Sequence, residues 1–326
     1  MALPDRAPVT HPSPQVAASA HPSSPDERAQ DRALLCALGA SASLEMGVRE
    51  RDGIGVWGAW LPAGTRVHIT ALPGQRAADA ADTAQRLRDA GLEPIPHIAA
   101  RQLKNEAELQ AMLQGFQDAA QVREVFIVAG DLREPRGAFA STADVLRTEA
   151  LARYGISAVA VAAHPEGHPH VSDAILRASE LEKVRLASLL GLQLRFITQF
   201  AFATRPLLDW ARQLRARGVH APVHFGLAGP TRLADLIRFA VRLGVGPSLA
   251  RLTQRTGTAT RLLGDRGPEP LVLELARSCA QQQGDFQGIH LFSFGGVTQS
   301  SRWLQALREG QFEFDAEESF VMQERR

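Results

Sequence analysis

The chain has 326 residues, of which 45% are apolar and 22% are charged, and its formal net charge is +1. This composition is typical of a globular protein with a sizeable core, and the balanced charge excludes the basic surface of a nucleic-acid-binding protein. Because no apolar run is long enough for a membrane span, we expect no membrane partner and a cytoplasmic location.

The two ends of the chain are predicted to be tails. Residues 1–30 are rich in Pro, Ser, Ala and His and lack the apolar segment of a secretory signal, which favours disorder. Residues 316–326 are predicted to form a C-terminal tail, so that one domain spans residues 31–315. The two cysteines, Cys36 and Cys279, lie in apolar helical contexts. This excludes a disulfide framework and a CxxC metal site.

From about residue 40, short β-type runs alternate with longer helical patterns. The predicted strands are Ser43–Met46, Arg66–Ala71, Glu93–Ala99, Glu124–Ala129, Ile156–Ala162, Leu194–Gln199, Pro222–Ala228 and Gly288–Phe294. The predicted helices are Ala77–Ala90, Glu106–Ala120, Thr142–Tyr154, Ser172–Leu190, Arg205–Arg217, Thr231–Leu243 and Glu269–Gln283. Eight strands alternating with helices predict an α/β fold, a (β/α)8 TIM barrel. The alternative is an open doubly wound sheet, but no glycine-rich dinucleotide turn follows the first strand.

In such a barrel the active site lies at the carboxyl ends of the strands. Polar side chains stand at six of these ends: Glu45, Thr70, His97, Asp131, the His164–His168 cluster and Gln199. Each also has a structural explanation, since Glu45 could pair with an arginine, Asp131 could be a turn residue and Gln199 could be a buried amide. These explanations weaken jointly, because all of them would have to hold at the same end of one barrel.

The segment after the fifth predicted strand could also hold a metal. His164, Glu166, His168 and His170 alternate, so an extended backbone would place them on one face. Two or three of them could then act as ligands. However, two prolines bend the same segment, and further ligands would have to come from elsewhere. We therefore predict no metal site.

The strand-end motifs resemble those of the flavin-dependent methylenetetrahydrofolate reductases, which are (β/α)8 barrels. The sequence AAHPEGHP at 162–169 is close to the family's A-x-Y-P-E-x-H-P, and ITQFAF at 197–202 is close to I-T-Q-x-F-F. SLE at 43–45, PHI at 96–98 and AGD at 129–131 agree with the family's motifs in order and spacing. The resemblance spans roughly residues 41–300.

The resemblance implies roles for four side chains. Glu45 matches the family's general acid, which helps to open the five-membered ring of 5,10-methylenetetrahydrofolate to an iminium at N5. Such an acid must keep its proton near neutral pH, which burial at an apolar strand end favours. Asp131 matches the aspartate near the pterin and the flavin, and Gln199 matches the glutamine that hydrogen-bonds the pterin. Leu233 falls where the family has an apolar or aromatic residue over the shared nicotinamide and folate position.

The resemblance also implies FAD as cofactor. The positions that match the family's FAD contacts are Thr70, His97, Gly130, Phe139, Ala140, Ala163, His164 and His168. Asp173 and Lys183 are the candidates for the family's flavin-binding aspartate and lysine, with Arg185 as an alternative to Lys183. The chain departs from the family at Ala129, Phe139 and His164, where the family has an arginine and two tyrosines. Arg133 and Arg136 could supply the missing charge for the phosphates.

The sequence therefore predicts a methylenetetrahydrofolate reductase-like oxidoreductase. It would interconvert 5,10-methylenetetrahydrofolate and 5-methyltetrahydrofolate by ping-pong hydride transfer, with FAD as cofactor and NAD(P)H as co-substrate. Tetrahydrofolate is the expected partner, and a homo-oligomer is implied by the family. The alternatives are a folate- or flavin-binding barrel without turnover, and a metal-dependent barrel lyase or hydrolase that uses the 164–170 cluster.

Overall fold

Eight parallel strands close into a barrel in the order of the chain. The computed structural model describes residues 24–232, 235–239, 267–281, 286–315 and 319–323. The barrel strands are β1 (Ser43–Met46), β2 (Arg66–Ile69), β3 (Glu93–Ala99), β4 (Glu124–Val128), β5 (Ala158–Ala163), β6 (Gln193–Thr198), β7 (Val223–Ala228) and β8 (Phe286–Phe292). Pairing of β1 with β8, through Ser43 with His290 and Leu44 with Leu291, closes the cylinder. The predicted (β/α)8 barrel is confirmed.

Helices alternate with the strands around the barrel. They are α1 (Pro25–Ser41), α2 (Ile54–Trp57), α3 (Ala77–Asp89), α4 (Glu106–Ala120), α5 (Thr142–Leu146), α6 (Ala150–Arg153), α7 (Asp173–Leu189), α8 (Thr204–Ala216), α9 (Glu269–Gln281) and α10 (Val297–Glu309). Residues 235–239 are also helical, and the rest of the predicted helix Thr231–Leu243 is either non-helical or outside the described residues. Neither α1 nor α10 is among the predicted helices. None of the described helices combines the length and the apolar character needed to span a bilayer.

The predicted helix Thr142–Tyr154 is broken in its middle into α5 and α6. The cause lies at Thr148, whose backbone N–H and hydroxyl both donate to the Val145 carbonyl, at 3.1 and 2.8 Å. A threonine that binds the backbone locally in this way competes with the continuing helix.

Strand side chains alternate between the barrel interior and the layer between barrel and helices. Outward residues such as Leu44 and Val67 belong to the main core, which the strands share with the helices. Inward residues form a separate apolar cluster of Ile95, Phe126, Ala160 and Ile197. Four histidines also point inward, because their neighbours in the strands belong to the outer core: His68, His97, His224 and His290.

At the N-terminal end, the fold begins earlier than predicted. Ser24 caps α1 in a reciprocal capping box with Glu27, so residues 25–30 of the predicted tail are helical. The buried Asp31 of α1 binds Arg277 of α9 at 2.7 Å. Helix α1 also contacts α10 and β8 and is therefore part of the barrel's outer layer.

At the C-terminal end, a short antiparallel hairpin follows α10. It consists of β9 (Phe312–Phe314) and β10 (Phe320–Met322). Phe320 is 2% exposed and its ring lies 4.9 Å from that of Phe312, while the guanidinium of Arg32 lies over the Phe312 ring at 4.6 Å. Part of the predicted tail 316–326 is therefore paired and buried.

Candidate active site

The carboxyl ends of the eight strands meet at one mouth of the barrel, and most predicted site residues stand there. β1 contributes Glu45, β3 contributes His97, and β6 ends one residue before Gln199. Thr70 directly follows β2, where its backbone N–H and hydroxyl both donate to the Met46 carbonyl, at 3.0 and 3.2 Å. This pair of bonds joins the end of β2 to the end of β1.

Glu45 is the carboxyl group that the strand pattern directs into the mouth. Its neighbours Leu44 and Met46 belong to the outer core, so Glu45 points inward. Its side chain is 14% exposed, and Oε2 lies 3.7 Å from Nε2 of the fully buried His290. Among the residues that the structure describes, no arginine or lysine pairs with Glu45 within 4 Å. The structural alternative of an arginine partner therefore finds no support.

His97 offers a neutral imidazole at the same mouth. Its ring stands edge-on to Phe126 and His68, with centroids 4.6 and 5.5 Å away. Burial, assisted by His290, lowers the pKa of His97 to about 3. Its Nε2 atom is buried and makes no hydrogen bond to any described residue. Because buried polar atoms are normally paired, this nitrogen is a candidate contact for a bound ligand or water.

The loop after β4 brings Gly130 and Asp131 to the mouth. Gly130 has φ of +89°, and a Cβ there would lie 3.1 Å from Cβ of Ala99, so a side chain at this position would strain the loop. Arg101 holds the loop by donating to the carbonyls of Leu132 and Ala140, at 3.1 and 2.8 Å. Asp131 is exposed at the top of this loop. Arg133 and Arg136, which follow it, are both exposed.

The histidines after β5 form a chain of ring contacts. His164 and His168 are edge-on at 5.2 Å, and His168 contacts His170 at 5.9 Å. Burial is the main cause that lowers the pKa of His164 to about 4, and it also lowers the pKa of His168. Within the described part of the chain, no group of three or more His, Cys, Asp or Glu side chains is arranged to hold a metal ion. The metal-dependent alternative therefore gains no support here.

Four of the predicted cofactor contacts lie in the core or bind other groups of the protein. Phe139 is 6% exposed and Ala163 is 2% exposed, and both side chains belong to the main core. The Lys183 ammonium is buried behind β5 and donates to the Ala162 carbonyl at 3.1 Å. The backbone N–H of Ala140 donates to Asp144 at 2.9 Å. Their predicted roles rest on the family resemblance alone.

Of the two remaining predicted residues, Asp173 is described by the structure and Leu233 is not. Asp173 is the first residue of α7 and is exposed. Its Oδ1 atom lies 3.2 Å from the place where a Cβ on Gly167 would stand, so its carboxylate sits beside the turn after β5. Leu233 is outside the described residues.

An aromatic wall, which was not among the predicted site residues, lies at the ends of β6 and β8. It consists of Phe200, Phe202, Phe292 and Phe294, with Phe292 and Phe294 stacked at 5.7 Å. The signal in the sequence is a Phe-x-Phe pair after β6 and another at the end of β8. The Oε1 atom of Gln199, beside this wall, accepts the Phe200 N–H at 3.0 Å. Its amide NH2 makes no hydrogen bond to a residue that the structure describes, so it is available to a ligand.

Comparison with known proteins shows the family. The sequence model of methylenetetrahydrofolate reductase matches residues 59–245, more than half of the chain. The chain belongs to the methylenetetrahydrofolate reductase family. The matched range includes the predicted motifs from Thr70 to Gln199 and begins after Glu45. Parallel pairing of β1 with β2, in which Glu45 lies opposite His68, brings Glu45 to the same mouth as the other motifs of the reductase family.

A solved structure shows the same fold. It is an uncharacterized protein from Clostridium thermocellum that binds two copies of 5-methyl-5,6,7,8-tetrahydrofolic acid. It is 12% identical, with a TM-score of 0.52, over 82% of this chain and 96% of that one. A weaker similarity is to the dihydropteroate synthase of Thermus thermophilus, which is 13% identical, with a TM-score of 0.45, over 82% of this chain and 92% of that one.

Proposed function

We propose that this protein is a flavin-dependent oxidoreductase that interconverts 5,10-methylenetetrahydrofolate and 5-methyltetrahydrofolate with NAD(P)H or NAD(P)+. The observation that carries the proposal is the placement of Glu45. It is a largely buried carboxyl group, 14% exposed, without an arginine or lysine partner among the described residues. It lies at the mouth of a barrel of the methylenetetrahydrofolate reductase family. A purely structural carboxylate in such a place would be expected to have a cationic partner.

Glu45 would act as the general acid. It would give its proton to N10 of the folate while the bond between N10 and the bridging carbon breaks, which leaves an iminium at N5 that accepts hydride. A positioned acid of this kind contributes roughly 10²–10⁴-fold to the rate. The free amide NH2 of Gln199 would bind the pterin edge, and Asp131 would lie beside the pterin and the flavin.

The residues at the mouth fit a flavin. His97 has a buried and unpaired Nε2 atom, and Gly130 has a left-handed backbone that leaves no side chain in the way. Thr70, His164 and His168 stand around the same opening, and Arg133 and Arg136 bring positive charge for a diphosphate; these residues would hold the cofactor. When bound, FAD would carry hydride between NAD(P)H and the folate. The proposed ping-pong order rests on the family resemblance, in which the nicotinamide and the folate share one position.

The same proposal includes a cytoplasmic location, a one-carbon derivative of tetrahydrofolate as the substrate and a homo-oligomeric assembly. The last of these follows only from the family.

The test is a flavin spectrum of the purified protein. We expect a yellow protein that is bleached by NADH or NADPH and regains its colour when methylenetetrahydrofolate is added. A colourless protein without folate-dependent NAD(P)H consumption, even after FAD is supplied, would overturn the proposal. Binding of methyltetrahydrofolate by calorimetry without turnover would instead support the folate-binding alternative.

A further inference from the structure

A hydrogen-bonded pair lies next to Glu45 in the barrel interior. Ser43 Oγ is 2.9 Å from His290 Nδ1, and Nε2 of the same ring is 3.7 Å from Glu45 Oε2. Ser43 and Glu45 share the inward face of β1, because Leu44 between them points into the outer core. Ser43 and His290 are 1% and 0% exposed, so neither side chain is placed to meet a ligand directly.

The pair defines which ring nitrogen of His290 carries the proton. In a neutral imidazole one nitrogen donates and the other accepts. Ser43 Oγ has no other hydrogen-bond partner in the part of the chain that the structure describes, so its hydroxyl proton is paired only if it is donated to Nδ1. The ring proton then lies on Nε2, which faces Glu45. At 3.7 Å this contact is longer than a hydrogen bond, and catalytic contacts often tighten only when the substrate is bound.

The other histidines around this pair are kept neutral. Burial, with help from neighbouring rings, lowers the pKa of His68 well below its ordinary value. Burial also lowers the pKa of His97 and of His224 to about 3. Among the described residues, the cationic side chains of the barrel interior are Arg66 and Arg195. They lie toward the amino ends of β2 and β6. Within the described residues, neither arginine comes within 4 Å of Glu45, and the side-chain nitrogen that does is Nε2 of His290.

We propose that His290 is a positioning residue for the acid Glu45, with its tautomer fixed by Ser43. This inference rests on the proposed function. The proton moves from Glu45 to N10 of the folate as the bond between N10 and the bridging carbon breaks, and the carboxylate left behind accepts the Nε2–H of His290. The ring stabilises that carboxylate, which strengthens the acid, and no proton leaves the ring.

The kinetic test compares two substitutions of His290 in the FAD-loaded protein. His290→Leu removes the donor and should slow the folate half-reaction about tenfold, the loss expected for one hydrogen bond to a charged group. It should also move the alkaline limb of the pH–rate profile to higher pH, because the carboxylate is no longer stabilised. The amide of His290→Gln can donate from a similar place. This variant should therefore keep most of the wild-type rate, and the alkaline limb of its pH–rate profile should lie near that of the wild type.

His224→Leu is the matched control, since His224 is an equally inward histidine of β7 without a contact to Glu45. It should leave both the rate and the pH limb unchanged, and unfolding midpoints should show that all variants fold. Equal rates for His290→Leu and His290→Gln with an unshifted pH profile would reduce His290 to a structural role and overturn the inference.

A second measurement needs neither cofactor nor turnover. In ¹⁵N-histidine-labelled protein, two-bond ¹H–¹⁵N correlation spectra report the tautomer of each ring, and the His290→Gln spectrum assigns the signal. We expect the Nε2–H form in the wild type and a mixture in Ser43→Ala. An Nδ1–H ring in the wild type would overturn the assignment. Absence of folate turnover in a protein with the Nε2–H ring would instead overturn the proposed function, and the acid role with it, while leaving the pair intact.

Discussion

The carboxylate of Glu50 accepts a hydrogen bond from the backbone N–H of Val297 at 2.8 Å. Val297 is the first residue of α10, and the start of a helix presents unpaired N–H groups and partial positive charge. The second oxygen of Glu50 accepts the N–H of Gly47, directly after β1, at 2.9 Å. One side chain therefore joins the end of β1 to the helix that follows β8, next to the seam where the barrel closes.

Glu50→Ala should lower the free energy of unfolding by about 1–2 kcal/mol, because it removes a helix-capping carboxylate and leaves two N–H groups without this partner. Urea denaturation measures the effect. Asp52→Ala is the control, since Asp52 is 85% exposed and its one ion pair among the described residues is a surface contact with Arg86 at 3.3 Å. A loss for Glu50→Ala no larger than that for Asp52→Ala would show that the seam does not depend on this carboxylate.

Glu45→Gln should leave the reduction of bound flavin by NADH nearly intact and slow the folate half-reaction by about 10² or more, since an amide cannot donate the proton that opens the ring. Stopped-flow absorbance follows both half-reactions in one protein, so the first serves as the control for the second. Equal losses in the two half-reactions would argue against Glu45 as the folate acid.

Gln199→Ala should weaken folate binding about tenfold without loss of FAD, because it removes one polar contact to the pterin and leaves the flavin side of the mouth unchanged. Titration with methyltetrahydrofolate gives the affinity, and the flavin absorbance gives the cofactor content. Gln193→Ala tests the same change at the exposed, opposite end of β6 and should alter neither. Unchanged folate affinity in Gln199→Ala would remove Gln199 from the site.

Lys183 should make stability depend on pH in the alkaline range. Burial lowers its pKa from 10.5 to about 8, with a smaller opposing effect of Glu180. Between these two pH values the unfolded chain binds this proton more often than the folded chain does, so the free energy of unfolding should rise with pH. The rise attributable to Lys183 is about 3 kcal/mol at most.

Lys183→Met should remove this contribution, so that its unfolding free energy rises less than that of the wild type between about pH 8 and about pH 10. Lys104→Met, a change at the other lysine of the chain, which is exposed, should leave the slope unchanged. Equal slopes for the wild type and Lys183→Met would show that the ammonium is not buried as the structure places it.

The sequence predicted the strands more closely than the helices. The predicted bounds of β1 and β3 are those observed, because the apolar residues of both strands alternate with inward-facing residues at the period of two that a strand requires. α1 and α10 were not predicted, since their burial depends on neighbours far along the chain. The break between α5 and α6 depends on one threonine whose hydroxyl could equally have faced solvent.

The strand-end residues of the candidate site could be predicted from the sequence, whereas the surroundings of its loop residues and long side chains could not. Strand-end positions such as Glu45, His97 and Gln199 could be assigned because every parallel strand of a barrel ends at the same mouth. The burial of Phe139 and the engagement of Lys183 with the Ala162 carbonyl could not, because loops and long side chains follow no period along the chain.

The sequence by itself determined the barrel, the family and the set of polar groups at the strand ends, since these depend on local periodicity and on short motifs. Only the tertiary structure decided which distant groups meet. Ser43 and His290 are separated by 247 positions in the chain, and they form a hydrogen bond because β1 and β8 pair when the barrel closes. Closure is a property of all eight strands together, so no single segment of the sequence could reveal the contact beside Glu45.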